Sequence, residues 1–134
     1  MKREITIGSN IGNLRKIEEF IESVSPLFSI GKETYGEVLV AVMEAVNNAI
    51  NHGNKRDEAK KVEVIFEKAG NSLVVVVRDQ GNGFRPEIIP DPTKPENIEK
   101  ISGRGVFLMR KLSDGIEFND KGNCVKMTFN LIRN

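Results

Sequence analysis

The segment from Val38 to Asn54, VLVAVMEAVNNAINHGN, restricts the possible folds more than any other part of this chain. Val38, Leu39, Val42, Ala45, Val46, Ala49 and Ile50 recur at the three- and four-residue spacing of a helix with a broad buried face. Glu44, Asn47, Asn48 and Asn51 interrupt that surface. At about 100° per residue they fall within one quadrant, because side chains three, four and seven apart share a face. A helix this apolar must sit in the core, with the remaining elements packed around it and one polar line left open. A solvated face is the plain structural explanation of such a line. Lys, Glu and Arg are the usual residues of a solvated face, however, and Asn is a mediocre helix former. A carboxylate and three amides in this position therefore read as a site.

The elements around this helix follow from pattern and punctuation. Glu4 to Ile7 reads as a short strand. Asn10 to Val24 has helical spacing at Ile11, Leu14, Ile17, Phe20, Ile21 and Val24, with Asn10 as N-cap and Pro26 beyond the end. The central helix is expected from about Lys32 to Gly53, a C-terminal glycine. Lys61 to Lys68 alternates as a strand and turns at Gly70-Asn71 into the strand Ser72–Asp79, a hairpin. Four of the five prolines then lie between Pro86 and Pro95, in FRPEIIPDPTKPENIEK. Such an insertion is either disorder or a functional lid. A helix is expected over Ser102 to Leu112 behind a Gly-Arg-Gly turn. Strands Gly115–Phe118 and Val125–Ile132 follow, joined at Asp120-Lys121-Gly122. This order predicts an α+β fold: a two-layer α/β sandwich whose mixed, mainly antiparallel sheet is covered on one face by helices.

The whole is expected to be a single domain over residues 1–134. A net charge of +1 gives no general electrostatic case for nucleic acid or an anionic membrane. No apolar run approaches the roughly 20 residues of a membrane span. The N-terminal MKREITIGSN has no apolar signal core, so a cytoplasmic location is expected. One cysteine, Cys124, rules out an internal disulfide and reads as a buried structural thiol in a strand. One histidine and one cysteine cannot make a Cys/His zinc site or a Cys-His nucleophile.

Two glycine stretches indicate what the helix stripe serves. DQGNG, Asp79 to Gly83, closes a buried strand. An Asp there can accept a hydrogen bond from an exocyclic amine such as that of adenine, and its glycines let the backbone approach a flat ligand. SGRGV, Ser102 to Val106, opens a helix whose free N–H groups and dipole favour an anion. A plain turn and a glycine-rich helix entry are the structural alternatives. Neither stretch is a Walker loop, and DQGNG is not a dinucleotide fingerprint, because Pro86 follows it in place of a helix. On the helix, an amide oxygen suits Mg²⁺, which keeps waters and borrows phosphate oxygens. A carboxylate one turn earlier can orient or deprotonate a hydroxyl or water beside a phosphate.

Taken together, EAVNNAINHGN, DQGNG and SGRGVFLM resemble the N box and two glycine boxes of the GHKL ATP-binding superfamily, in order and spacing, over about residues 35 to 115. The short length, PDPTKPEN and SGRGVFLMRKLSD are most similar to the anti-sigma-factor serine/threonine-protein kinases of bacterial partner-switching systems. The resemblance implies the Bergerat, or histidine-kinase-like ATPase, fold with an ATP lid at about 84–102. It implies ATP and Mg²⁺ as cofactors, Glu44 as general base and Asn48 as the metal ligand. Asp79 matches the adenine-recognising residue, with Gly81 and Gly83 shaping that pocket. Gly103 and Gly105 match the phosphate-side glycines, beside which Lys100 and Arg104 can add charge. Asn47 lies in the motif as a nucleotide contact. Asn123 stands where many relatives have Thr, as a substitute contact near adenine. For His52 a structural hydrogen bond at the helix end is favoured over catalysis, and Asn51 has no assigned role. The implied partners are an anti-anti-sigma antagonist protein, a sigma factor or other output protein, and a second copy in a homodimer. An ATP-binding module that sequesters its partner without phosphotransfer is the alternative from another class. A detached histidine-kinase catalytic domain ranks last, because no dimerisation helix with an acceptor histidine is present.

Overall fold

The computed structural model describes residues 1–81 and 101–132, with only the backbone of 101–104. Within it the chain runs β1 (Lys2–Gly8), a 3₁₀ turn (Ile11–Asn13), α1 (Leu14–Val24), α2 (Lys32–Asn48), a π-helical turn (Ala49–Gly53), β2 (Lys61–Ala69), β3 (Ser72–Arg78), α3 (Ile101–Leu112), β4 (Gly115–Phe118) and β5 (Cys124–Asn130). The five strands form one sheet in the order β1-β2-β3-β5-β4. Every pairing among the described residues is antiparallel, in keeping with the mainly antiparallel sheet expected from sequence. Hairpins join β2 to β3 and β4 to β5, and such short links permit only antiparallel neighbours.

Alternation decides which face is covered. Val62, Val64 and Phe66 share one face of β2; Val64 and Phe66 pair with Val77 and Val75 of β3, and Val77, Val75 and Leu73 pair in turn with Val125, Met127 and Phe129 of β5. All nine are buried. The intervening positions carry Glu63, Glu67, Arg78 and Lys126 around half-buried Ile65, Val74 and Val76, so one face takes the helices and the other is mixed in character. Ile17, Ile21 and Val24 of α1 and Val38, Ala41, Val42, Ala45 and Val46 of α2 complete the core. Phe66 lies edge-on to Phe20 at 5.5 Å and to Phe28 at 6.0 Å, fixing α1 and the loop after it against β2.

Local details depart from the sequence reading in three places. Asn10 caps a 3₁₀ turn, its Oδ1 accepting from Gly12 N at 2.7 Å, and α1 proper begins at Leu14. The central helix does not run regularly to Gly53. It changes to π geometry at Ala49, and Asn54 N donates to Ala49 O at 2.8 Å. The expected Gly-Arg-Gly turn is absent, because α3 begins at Ile101 and both glycines lie inside its first turns. The lid expected over 84–102 lies outside the described residues as far as residue 100.

Candidate functional site

The site forms where the C-terminal half of α2 faces the end of β3, the start of β5 and the first turns of α3. Ala45, Asn48 and Ala49 from the central helix, Val77 and Asp79 from the end of β3, and Met109 from α3 line a cleft. Phe118 and the segment Gly122–Val125 close its far side. Its walls are mostly apolar, with Asn48, Asp79 and Asn123 among the lining residues.

Asp79 is 7 % exposed, just past the last residue of β3. Burial pushes its carboxyl above the ordinary aspartate value near 3.8. The Gly81 N–H, donating to Oδ1 at 2.8 Å, and the charges of Lys121 and Lys60 oppose that rise. The backbone around it admits only glycine at two points. A Cβ on Gly53 would overlap the Asp79 carboxylate, and a Cβ on Gly81 would overlap the Gly53 carbonyl. The end of the central helix and the start of the DQG turn are therefore in direct backbone contact, which no side chain would allow. Gly83 and Lys100 lie outside the described residues.

Asn48 is 6 % exposed, and neither its Nδ2 nor its Oδ1 has a hydrogen-bond partner among the described residues. Leaving a buried amide unpaired costs about 1–3 kcal/mol, so its retention points to a ligand that completes it. Glu44 is one helical turn earlier and half-buried. Both face Gly105 of α3: a Cβ there would lie 3.0 Å from Asn48 Nδ2 and 3.1 Å from Glu44 Oε2. The glycine lets α3 approach the carboxylate and the amide at backbone distance. Gly103 and Arg104 lie in the first turn of α3, where helix N–H groups lack intrahelical acceptors.

Other expected residues are brought close but are engaged differently. Asn47 Oδ1 accepts from Asn51 Nδ2 at 2.8 Å, so Asn51 acquires a role, orienting its neighbour. Asn123 lines the cleft, but its amide is spent within the protein. Its Oδ1 accepts from Asn119 Nδ2 at 2.7 Å and its Nδ2 donates to the Asp79 carbonyl at 3.3 Å. It braces Asp79. The His52 side chain is exposed and makes no hydrogen bond among the described residues. Cys124 is half-buried at the cleft wall and not fully enclosed.

Sequence reasoning missed Asn54. It is 1 % exposed. Its Nδ2 donates to Ser9 Oγ at 2.7 Å and to Lys61 O at 3.0 Å, and its Oδ1 accepts from Gln80 N at 2.8 Å. One amide thus ties the end of β1, the start of β2 and the residue after Asp79 to the end of the π-helical turn. Its sequence signal is an amide directly after a helix-ending glycine, which looks like any C-terminal cap.

Comparison with known proteins agrees with this geometry. A family model described as a histidine kinase-like ATPase domain matches residues 7–129. The chain is similar to a serine-protein kinase RsbW from Oceanobacillus iheyensis, 28 % identical over 107 residues that span 75 % of this chain and 68 % of that protein. It is also similar to a serine-protein kinase RsbW from Staphylococcus aureus, 29 % identical over 117 residues that span 79 % of this chain and 74 % of that one. Among solved structures, one of the RsbU and RsbW domains of Rv1364c from Mycobacterium tuberculosis superposes with a TM-score of 0.71 at 18 % identity. That match covers 100 % of this chain and 33 % of the other, and it shows the shared fold. No helix of the described residues is long and apolar enough to cross a membrane.

Proposed function

The chain belongs to the histidine kinase-like ATPase domain family, and from that premise we propose that it is an ATP-dependent protein serine kinase that switches between protein partners. In one state it phosphorylates a serine of a small antagonist protein. In another it sequesters a sigma factor or other output protein, acting as an anti-sigma factor, and it works as a homodimer. Its similarity to serine-protein kinases RsbW supports the kinase reading. The observation that carries it is the buried amide of Asn48, without a hydrogen-bond partner among the described residues, beside Glu44, both pressed against Gly105. A structural asparagine in a core helix would be hydrogen-bonded.

The residues divide the work. Asp79, buried at the base of the cleft, accepts a hydrogen bond from the exocyclic amine of adenine, and the apolar walls from Val77 and Met109 sandwich the ring. Gly105 lets the start of α3 bring its free N–H groups to the phosphates. Asn48 Oδ1 is a hard oxygen suited to Mg²⁺, and no cluster of acidic, His or Cys ligands competes for a metal among the described residues. When bound, Mg²⁺ supplies neutralising charge to the β- and γ-phosphoryl oxygens. Glu44 takes the proton of the acceptor serine as its Oγ bonds to the γ-phosphorus and the bond to the β-bridging oxygen breaks, releasing ADP.

The test is transfer of label from γ-³²P-ATP to the serine of a small antagonist protein from the same organism. Label on the serine, lost when that serine becomes alanine, is the expected result. ATP binding without transfer would overturn the kinase reading and leave a module that only sequesters its partner.

A further inference from the structure

The Asp79 carboxylate is engaged by the protein at one oxygen and open at the other. Its Oδ1 accepts the Gly81 N–H at 2.8 Å, while Oδ2 has no hydrogen-bond partner among the described residues. The carboxylate is thus oriented by the turn that carries Gly81. The direction of its open oxygen depends on the path of the chain from 79 to 81, and Gln80 is the single residue between them.

Gln80 is fastened through both its main chain and its side chain. Its N–H donates to Asn54 Oδ1 at 2.8 Å, and its Oε1 accepts the Lys61 N–H at 2.6 Å. The Lys61 carbonyl in turn accepts from Asn54 Nδ2 at 3.0 Å, which closes a ring of three hydrogen bonds through Gln80, Lys61 and Asn54. Asn54 Nδ2 also donates to Ser9 Oγ at 2.7 Å, so the amide spends both hydrogens and its oxygen within the protein. Ser9 Oγ donates to Lys60 O at 2.7 Å. Ser9 and Asn54 are buried and anchor the ring, whereas Gln80 is exposed.

Sheet register shows what the Gln80 side chain replaces. The β2–β3 ladder ends with Glu63 opposite Arg78. Continued in that register, it would set Lys61 opposite Gln80. The side-chain oxygen takes the Lys61 N–H there in place of a main-chain carbonyl, so the backbone can leave the sheet and press Gly81 against Gly53. Holding an exposed glutamine in one rotamer costs about as much as a neutral hydrogen bond returns. The bond therefore adds little stability; what it fixes is the direction of the turn.

We propose that Gln80 is a positioning residue for purine recognition: by taking the Lys61 N–H it sets the turn that directs the open Asp79 oxygen at the exocyclic amine of adenine, and so sets the preference for adenine over a purine with a carbonyl in that place. The inference rests on the ATP reading of the site.

Calorimetry with ATP and with inosine triphosphate, which carries a carbonyl where ATP carries the amine, tests this on the unaltered chain, Gln80→Met and Gln80→Glu. Methionine keeps the length of the side chain and removes the strong acceptor, and glutamate keeps an acceptor oxygen at the same reach. Because Gln80 is exposed, thermal melting should be unchanged in both variants. The unaltered chain should prefer ATP. In Gln80→Met, ATP affinity is expected to fall about fivefold, roughly the worth of one neutral hydrogen bond, with inosine triphosphate affinity held within about twofold. Gln80→Glu should recover the ATP affinity. Equal losses for the two nucleotides, a failure of Gln80→Glu to recover, or a lower melting temperature with the preference intact would each overturn the assignment. If the unaltered chain binds neither nucleotide, the ATP reading fails and takes this one with it. If it binds both equally, the adenine role of Asp79 fails, and this one falls with it. If it prefers ATP and Gln80→Met keeps that preference, the Gln80 assignment alone fails.

Discussion

The Asp79 carboxylate occupies the space that a Cβ on Gly53 would need. This contact locks the end of the central helix to the end of β3 and sets the depth of the cleft. Gly53→Ala is therefore expected to displace Asp79 or the π-helical turn. Overpacking of this kind costs about 1–3 kcal/mol, and because the overlap falls on Asp79, the residue proposed to recognise adenine, ATP affinity should fall as well. Chemical denaturation and calorimetry on the same variant check both effects. A variant of unchanged stability and affinity would show that the junction relaxes freely.

Asp79→Asn separates recognition from stability. Burial raises the Asp79 carboxyl, so the folded state holds its proton to higher pH than the unfolded chain does. The folded state then binds more protons, and stability falls as pH rises from near 3.8 through the raised folded value, staying low above it. The amide removes that charge and its pH dependence. The variant should be at least as stable as the unaltered chain at neutral pH and bind ATP at least tenfold more weakly, roughly the value of a charge-assisted hydrogen bond. Melting curves across pH, paired with nucleotide titrations, measure the two changes. Lower stability with unchanged ATP affinity would place adenine elsewhere.

Asn48→Ala should remove an unsatisfied buried amide. Without nucleotide, the gain from losing an orphaned polar group, about 1–3 kcal/mol, offsets the small cavity created. Thermal melting of the apo protein should hold steady or rise. The increment that Mg²⁺ adds to ATP affinity should vanish, measured as the difference between titrations with and without the metal. A retained increment would move the metal ligand to another residue.

Glu44→Gln keeps the size and hydrogen-bonding reach of the side chain and removes its ability to accept a proton. ATP binding should stay within a few-fold, while transfer to the acceptor serine should drop about 10²–10⁴-fold, the range for loss of a general base. Single-turnover transfer with labelled ATP distinguishes the two effects, and an unchanged rate would remove Glu44 from the chemistry.

Gly105→Ala probes how closely α3 must approach α2. The added Cβ would sit 3.0 Å from Asn48 Nδ2 and 3.1 Å from Glu44 Oε2, tight contacts against side chains that can shift by tenths of an ångström. Ala also favours a helix over Gly by about 1 kcal/mol. Stability should be preserved or improved while the transfer rate falls, because misplacement of reacting groups on that scale is enough to slow chemistry. A variant at once more stable and fully active would show that the close approach is not needed.

The periodicity of the strands and helices made the architecture readable from the chain. Alternation of Val62, Val64 and Phe66 fixes a strand with one buried face, and the apolar sides of α1 and α2 have no other place to go. Glu44, Asn48 and Asp79 were legible for a related reason: each is a polar residue in a setting that should be apolar. What sequence spacing could not supply was pairing between residues far apart in the chain. Only packing shows that Gly53 is a glycine because of Asp79, that Gly105 faces Glu44 and Asn48, and that Asn54 joins three strand ends. The helix stripe was determined locally, by a period of about 3.6 residues. What distinguishes its amides is what tertiary structure sets opposite each: a buried site with no hydrogen-bond partner among the described residues at Asn48, an arginine at Asn51.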